Sequence, residues 1–407
     1  MLNLRRWKAN VALWIGFIST LSAVILFQPI QPALSQTSPV SSSRSSEIRG
    51  VWLTNVDSDV LFSRVRLEGA IEKLAELNFN TIYPTVWNWG YTVYPSEVAK
   101  QTFGVMVDPR VPELAIRDTL ADTITLGHQH GFTVIPWFEF GFMTTAESEI
   151  AALYPDWVTQ RRDGTKTWQD TIYQRLWLNP FKPEVQRFIL DLILEIVTNY
   201  DVDGIQFDDH LGLPDEFGYD DYTVQLYKQE HQGQAPPANS QDPTWVRWRA
   251  DKITAFMQRV FQEVKAKKSN ILISVSPNNY IFAYNHFLQD WRLWQQRGYV
   301  EELIVQLYRD SLYAFETEMK RPEVQDAKEH ILTAIGVLAG LKDKSVSIQQ
   351  VLEQVQSVRR EGFPGVSFFF YETLWNLSEE SEGDRQAVFQ TLFDSPASRP
   401  DLYRVRE

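Results

Sequence analysis

Eight short runs rich in β-branched and aromatic residues recur along this chain, each followed by a stretch whose apolar residues return at helical spacing, and this alternation restricts the fold more than any other feature. The runs span 48–55, 80–87, 132–139, 203–208, 271–276, 303–308, 331–337 and 365–371. The helical stretches span 66–77, 113–130, 183–200, 243–268, 287–297, 312–328, 348–361 and 384–393. A helix between successive strands returns the chain to the same end of the sheet, so the strands run parallel, and eight such units predict a closed (β/α)8 barrel of the α/β class, a TIM barrel. An open doubly wound sheet is the rival, but no glycine-rich phosphate turn follows the first run.

The connections are unequal. Residues 88–112, 140–182 and 210–242, after the second, third and fourth runs, are long, whereas the turns leading into strands are short. Length has therefore gathered at the C-terminal rim, the working face of such barrels, where long loops can wall a cleft for an extended ligand.

Composition closes off several classes. With 407 residues, 44% of them hydrophobic, the chain can bury a barrel-sized core. A net charge of −13 without a basic stripe argues against nucleic acid as a partner. The absence of cysteine excludes disulfides, thiolate metal sites and a cysteine nucleophile. No Gly-x-Ser-x-Gly elbow points to a serine esterase. Arg5, Arg6 and Lys8 precede an apolar run over 11–27, and Ala33-Leu34-Ser35 offers small residues for cleavage before Gln36. This reads as a secretory signal over 1–35, an uncleaved anchor being the alternative, followed by a Ser/Pro-rich linker over 36–46 and a barrel domain over 47–407. Apart from that leader no membrane association is expected, and the destination is the periplasm or cell envelope.

Chemistry concentrates where strands end. In Gly204-Ile205-Gln206-Phe207-Asp208, alternation puts Gly204, Gln206 and Asp208 on the lumen face and Ile205, Phe207 and Asp209 toward the helices. Asp208 is thus the principal catalytic candidate, with Asp209 beside it. Glu139 ends the third run next to Trp137 and Phe140, and Glu372 follows the eighth; Tyr308 and Asp310 share a face after the sixth. Two carboxyls with separated pKa values can break a glycosidic bond, one protonating the leaving oxygen and one acting as a carboxylate. Aromatic neighbours favour the protonated form at Glu139, leaving Asp208 as the ionised member, oriented by His210 and Asn278. The competing reading of Glu139 is a buried ion pair with an arginine such as Arg49. Trp52, Trp87, Trp89, Tyr91, Tyr94, Trp137, Trp157, Trp168, Trp177, Tyr219, Tyr222, Tyr308, Tyr371 and Trp375 stand at or beyond strand ends, where rings can stack on sugars or fill the core. Asn55, His210 and Asn278 add polar groups for sugar hydroxyls.

The runs Ile48-Arg49-Gly50-Val51-Trp52-Leu53-Thr54, Asn78 to Trp87, Val134-Ile135-Pro136-Trp137-Phe138-Glu139 and Asp203 to Asp209 resemble glycosyl hydrolase-like family 10, a family of secreted bacterial proteins. The resemblance runs from about Glu47 to the last strand, and implies a TIM barrel, an envelope location, and glycan hydrolysis with Asp208 as the catalytic acid ending strand four. Many members carry Asn where this chain has Glu139; the fourth run is also similar to the Gly-x-x-x-Asp nucleophile strand of the α-amylase superfamily, but strand five ends in Ser276-Pro277-Asn278 without a glutamate, so that superfamily's proton donor has no counterpart here. The expected function is an exported glycoside hydrolase cleaving an envelope polysaccharide, peptidoglycan glycan strands first, without cofactor or metal. Alternatives are a non-catalytic glycan-binding barrel and a metal-dependent polysaccharide deacetylase using Asp208, Asp209 and His210. Strand alternation speaks against the latter by sending Asp208 and Asp209 to opposite faces.

Overall fold

The computed structural model describes residues 46–169 and 174–401. The leader and nearly all of the linker lie outside them; Ser46, the linker's last residue, forms a parallel bridge to Ser398. Among the described residues no helix is long and apolar enough to cross a membrane.

All eight expected strands form: β1 (Ile48–Leu53), β2 (Thr81–Pro84), β3 (Thr133–Val134 and Trp137–Phe138), β4 (Gly204–Asp208), β5 (Leu272–Ser276), β6 (Glu302–Gln306), β7 (Leu332–Leu338) and β8 (Gly365–Phe369). They pair in parallel in sequence order, and β8 returns to β1. Closure occurs at β3, which Pro136 splits because it has no N–H to donate. Its first segment pairs with β2 and its second with β4. Between the segments Ile135 N donates to Ile82 O at 3.0 Å and Gln206 N donates to Pro136 O at 2.8 Å. The strand is thus bonded on both sides and the TIM barrel is complete.

Side chains alternate as the pleat requires. Ile205 and Phe207 join the large apolar layer beneath the helices, while Trp52, Tyr83, Ile135, Trp137 and Ile304 fill the lumen. Gly50 makes room there: a Cβ would lie 2.9 Å from the Tyr83 ring. Toward the floor the lumen turns polar. The Trp52 indole N–H donates to Gln206 Oε1 at 2.7 Å, Gln206 Nε2 to Ser274 Oγ at 2.9 Å, and Ser274 Oγ to Glu302 Oε1 at 2.8 Å. Arg399, carried in by the C-terminal segment, meets the other Glu302 oxygen and donates to Thr81 Oγ1 at 3.0 Å.

The jacket departs from simple helical spacing where prolines and caps intervene. Over 113–130 a 3₁₀ turn (Pro112–Ile116) precedes the helix Thr119–Gln129, which starts where Asp118 accepts from Ala121 N at 3.0 Å. Pro322 divides 312–328 into the helices Leu312–Met319 and Pro322–His330. The stretch 287–297 straddles the helices Tyr280–Phe287 and Trp291–Gln296, separated by Leu288 in the left-handed region at φ 60°. The long rim loops carry structure of their own: a hairpin (Trp87–Asn88 with Tyr91–Thr92) and a small antiparallel sheet from Met143–Thr145, Trp168–Gln169 and Gln174–Trp177.

Candidate active site

Strand β4 delivers Asp208 to the rim of the lumen, as alternation requires. There the strand stops: Leu211 N donates to Asp208 O at 3.1 Å, so Asp209 and His210 belong to a turn rather than to the pleat. Asp209 consequently does not face the helices, as expected from alternation. It swings into the mouth, where Asp208, Asp209 and His210 hold oxygen and nitrogen atoms within 4.8 Å of one another.

Each acid has a defined setting. Asp208 Oδ1 accepts from Gln306 Nε2 at 2.6 Å and from Asp209 N at 2.8 Å. Burial, and then the charge of Asp209, push its pKa well above the usual carboxylate value, with Glu139 adding to the effect. This setting disfavours the ionised form expected of Asp208. Asn278 does not orient it, since Asn278 Nδ2 donates instead to Asp209 Oδ2 at 2.6 Å. His210 Nδ1 lies 2.8 Å from Glu139 O and 3.4 Å from Asp209 Oδ1.

Glu139 lies at the same mouth. Its Oε2 accepts from Asn88 Nδ2 at 2.7 Å and from Thr54 and Thr85 Oγ1 at 3.2 Å each. Burial raises its pKa to about 7, more than the two threonine hydrogen bonds and Arg175 lower it, and Asp209 adds to the rise. Arg49 is not its partner: that guanidinium bonds Glu47 at 2.8 Å, at the start of β1.

A cleft of about 520 Å³ opens over these groups. Glu139, Asp209, His210 and Asn278 line it together with Phe140, Met143, Trp168 and Arg175 from the loop after β3, and Asp215, Glu216, Phe282 and His286 from the connections after β4 and β5. Asp208 does not line it.

The match to a family decides what such a cleft belongs to: residues 47–357 fit the model of glycosyl hydrolase-like 10. The chain belongs to this family. It is 24% identical over 349 residues to the glycosyl hydrolase DigH of Escherichia coli K12, covering 75% of this chain and 76% of that protein. It is 23% identical to the glycosyl hydrolase YngK of Bacillus subtilis, over 47% of this chain and 39% of that protein. In fold it resembles the glycoside hydrolase domain of PgaB from Bordetella bronchiseptica, with TM-score 0.61 at 14% identity, covering 83% of this chain and all of that one. The catalytic domain of β-amylase from Paenibacillus polymyxa superposes with TM-score 0.56 at 9% identity, over 86% of this chain and 99% of that one. With the family comes the enzyme class, glycoside hydrolase.

Several candidates lie outside the cleft. Trp52, Trp87 and Trp375 are at most 2% exposed. Trp52 packs in the lumen, Trp87 donates to Gly141 O at 2.9 Å, and Trp375 packs on Phe389, so all three fill the interior. Trp137 lies in the lumen against Trp52 and Phe369, and Tyr371 is buried in the outer core. Asn55 acts at one remove, accepting from Asn88 Nδ2 at 2.7 Å. Glu372 is held by Ser58 and Asn376 in a separate concavity with Asn55 and Asp57, away from the acid cleft. Asp310 is exposed and paired with Lys344. Tyr308 stacks on Phe369 with ring centres 5.7 Å apart, and burial followed by the nearby acids keeps its phenol neutral by pushing the pKa well up. Among the expected aromatics, Trp168 does reach the cleft. Gln306, on the polar strand face it shares with Tyr308 and Asp310, proves to bond Asp208, whereas nothing in the sequence pointed to Arg175, Asp215 or His286. Arg175 lies on a short strand of the loop after β3, Asp215 in the loop after β4 and His286 on the helix Tyr280–Phe287, and none of these lies at the end of a barrel strand.

Proposed function

We propose that this family 10 hydrolase is exported and cleaves glycosidic bonds of an envelope polysaccharide, with peptidoglycan glycan strands as its substrate. The carrying observation is the pair Glu139 and Asp209 in one cleft, the first a buried carboxyl with its pKa near 7 and the second a carboxylate held by Asn278. Glu139 protonates the departing oxygen, and Asp209 attacks the anomeric carbon or activates a water for that attack. Asp208, whose burial favours the neutral carboxyl, holds the backbone N–H of Asp209 through Oδ1. The basic and apolar leader over 1–35 supports export, to periplasm or cell envelope.

The purified mature chain is expected to generate new reducing ends from peptidoglycan glycan strands. Failure to do so on any of a panel of envelope glycans would refute the reading. A second reading draws on the grouping of Asp208, Asp209 and His210 within 4.8 Å, which would also suit a divalent cation in a deacetylase. Acetate release that a chelator abolishes, without new reducing ends, would select it.

The pH profile has a definite sign. Glu139 must carry a proton to act, so kcat/KM should fall as pH rises through about 7, and the Glu139→Gln chain should lose that alkaline limb. Between the ordinary glutamate value of 4.5 and about 7 the folded chain keeps a proton that the unfolded chain releases. This group therefore stabilises the fold increasingly as pH falls through that window, and the stabilisation fades as pH rises. Urea titrations at several pH values, with and without Glu139→Gln, check the second effect.

A further inference from the structure

The helix Tyr280–Phe287 has two faces. Ala283 and Phe287 point into the protein, 0% and 8% exposed, while Ile281 and Phe282 are 49% and 41% exposed. Of these two exposed apolar side chains only Phe282 lines the cleft. Leaving an aromatic ring in water costs free energy in the unliganded protein, and a ring with one open face is the surface on which the C–H side of a pyranose packs.

What surrounds that ring is fixed and polar. The helix start is set by Asn279, whose side chain accepts from Phe282 N at 3.2 Å. The His286 ring centre lies 4.9 Å from that of Phe282, and His286 Nδ1 lies 3.4 Å from Asp215 Oδ1. The β4 connection is laced to this helix: Asp215 N donates to His286 O at 3.0 Å and Leu213 N to Phe287 O at 2.9 Å. Gln241 Nε2 binds Asp215 Oδ2 and reaches Asn285 O at 3.3 Å. Arg249, 0% exposed, donates to Asp215 O and, at 2.7 Å, to Phe217 O, so the carboxylate stands on an anchored backbone. An open aromatic face, an acceptor and an imidazole thus meet on one rigid wall of the cleft that holds Glu139 and Asp209.

We propose that Phe282, Asp215 and His286 form a distal subsite for a hexopyranose unit of the glycan other than the one being cleaved, so that the enzyme favours longer strands. The ring packs on the apolar face of the sugar, Asp215 accepts from its hydroxyls, and His286 supplies a second polar contact. The subsite rests on the glycan-hydrolase reading for its ligand class, but its binding is measurable without turnover.

The test uses glycan strands of two, four, six and eight sugars prepared from peptidoglycan, titrated by tryptophan fluorescence against the full mature chain carrying Glu139→Gln to block cleavage. Affinity is expected to rise at least about tenfold from the shortest to the longest strand, the scale of one well-packed aromatic anchor. Adding Phe282→Ala should erase that rise, whereas Ile281→Ala, whose side chain does not line the cleft, should keep it. A Phe282→Ala chain that retains the length dependence, an Ile281→Ala chain that loses it equally, or no binding at any length overturns the subsite. Length-dependent binding that needs Phe282, in a parent chain that releases no reducing ends, upholds the subsite and removes the hydrolase reading instead.

Discussion

Changing Glu139 to glutamine is expected to lower kcat/KM on glycan strands by at least about two orders of magnitude, the usual contribution of a positioned proton donor. Glutamine keeps the size of the side chain and an oxygen for Asn88, Thr54 and Thr85, but it has no proton to give. The loss should fall in kcat with KM little changed, because proton transfer belongs to the transition state. It should also shrink on an aryl glycoside whose leaving group departs without protonation, and this separates a missing proton from a misfolded site. Equal losses on both substrates would remove Glu139 from the role of acid. The neighbouring pair offers an internal comparison. Asp209→Asn should lose as much as Glu139→Gln, whereas Asp208→Asn imitates the neutral carboxyl that burial already favours there and should lose less. The reverse order would assign the reacting carboxylate to Asp208.

Removing Arg399 should cost the fold about 3–5 kcal/mol, the penalty of leaving a buried charge without its partner. Glu302 is 0% exposed in the lumen, and its other oxygen is engaged by Ser274 Oγ at 2.8 Å and Tyr83 OH at 3.2 Å. Those hydroxyls cannot replace a guanidinium. Urea unfolding of Arg399→Met should show the loss, and Arg399→Met with Glu302→Gln should recover a large part of it, since a neutral amide needs no counter-charge. A single variant within about 0.5 kcal/mol of the parent would place this pair in the class of exposed ion pairs and end the argument. The C-terminal segment is tied down beside it, with Glu47 N donating to Ser398 O at 3.0 Å and Asn80 Nδ2 to Ala397 O at 3.1 Å. Removing residues from 397 onward should therefore destabilise more than Arg399→Met alone.

Much of the scaffold was legible. The strand period of two and the helical period of 3.6 are local properties, and they located all eight strands and put Ile205 and Phe207 outward with Gln206 and Asp208 inward. Helix limits were less legible, because Pro322 and the Asp118 and Asp290 caps cut stretches whose apolar spacing continues across the break. The aromatic residues misled. Tryptophan at a strand end fits either a sugar platform or a lumen plug, and at Trp52, Trp87 and Trp375 interior packing took the ring.

By itself the sequence determined the architecture and the address of the chemistry: parallel strands in a closed ring, long loops on one rim, and acids at strand ends. Periodicity suffices for that, because it needs only neighbours along the chain. The tertiary structure decided which acids meet. Glu139 and Arg175 follow β3, Asp209 follows β4 and Asn278 follows β5, and they converge because strand ends share one mouth. It also decided that β4 ends at Asp208, so that the next residue turns into the cleft, and that burial raises the pKa of Glu139 to about 7 and pushes that of Asp208 upward. Turn geometry and desolvation depend on everything packed around a residue, which is why neither can be read from the order of residues alone.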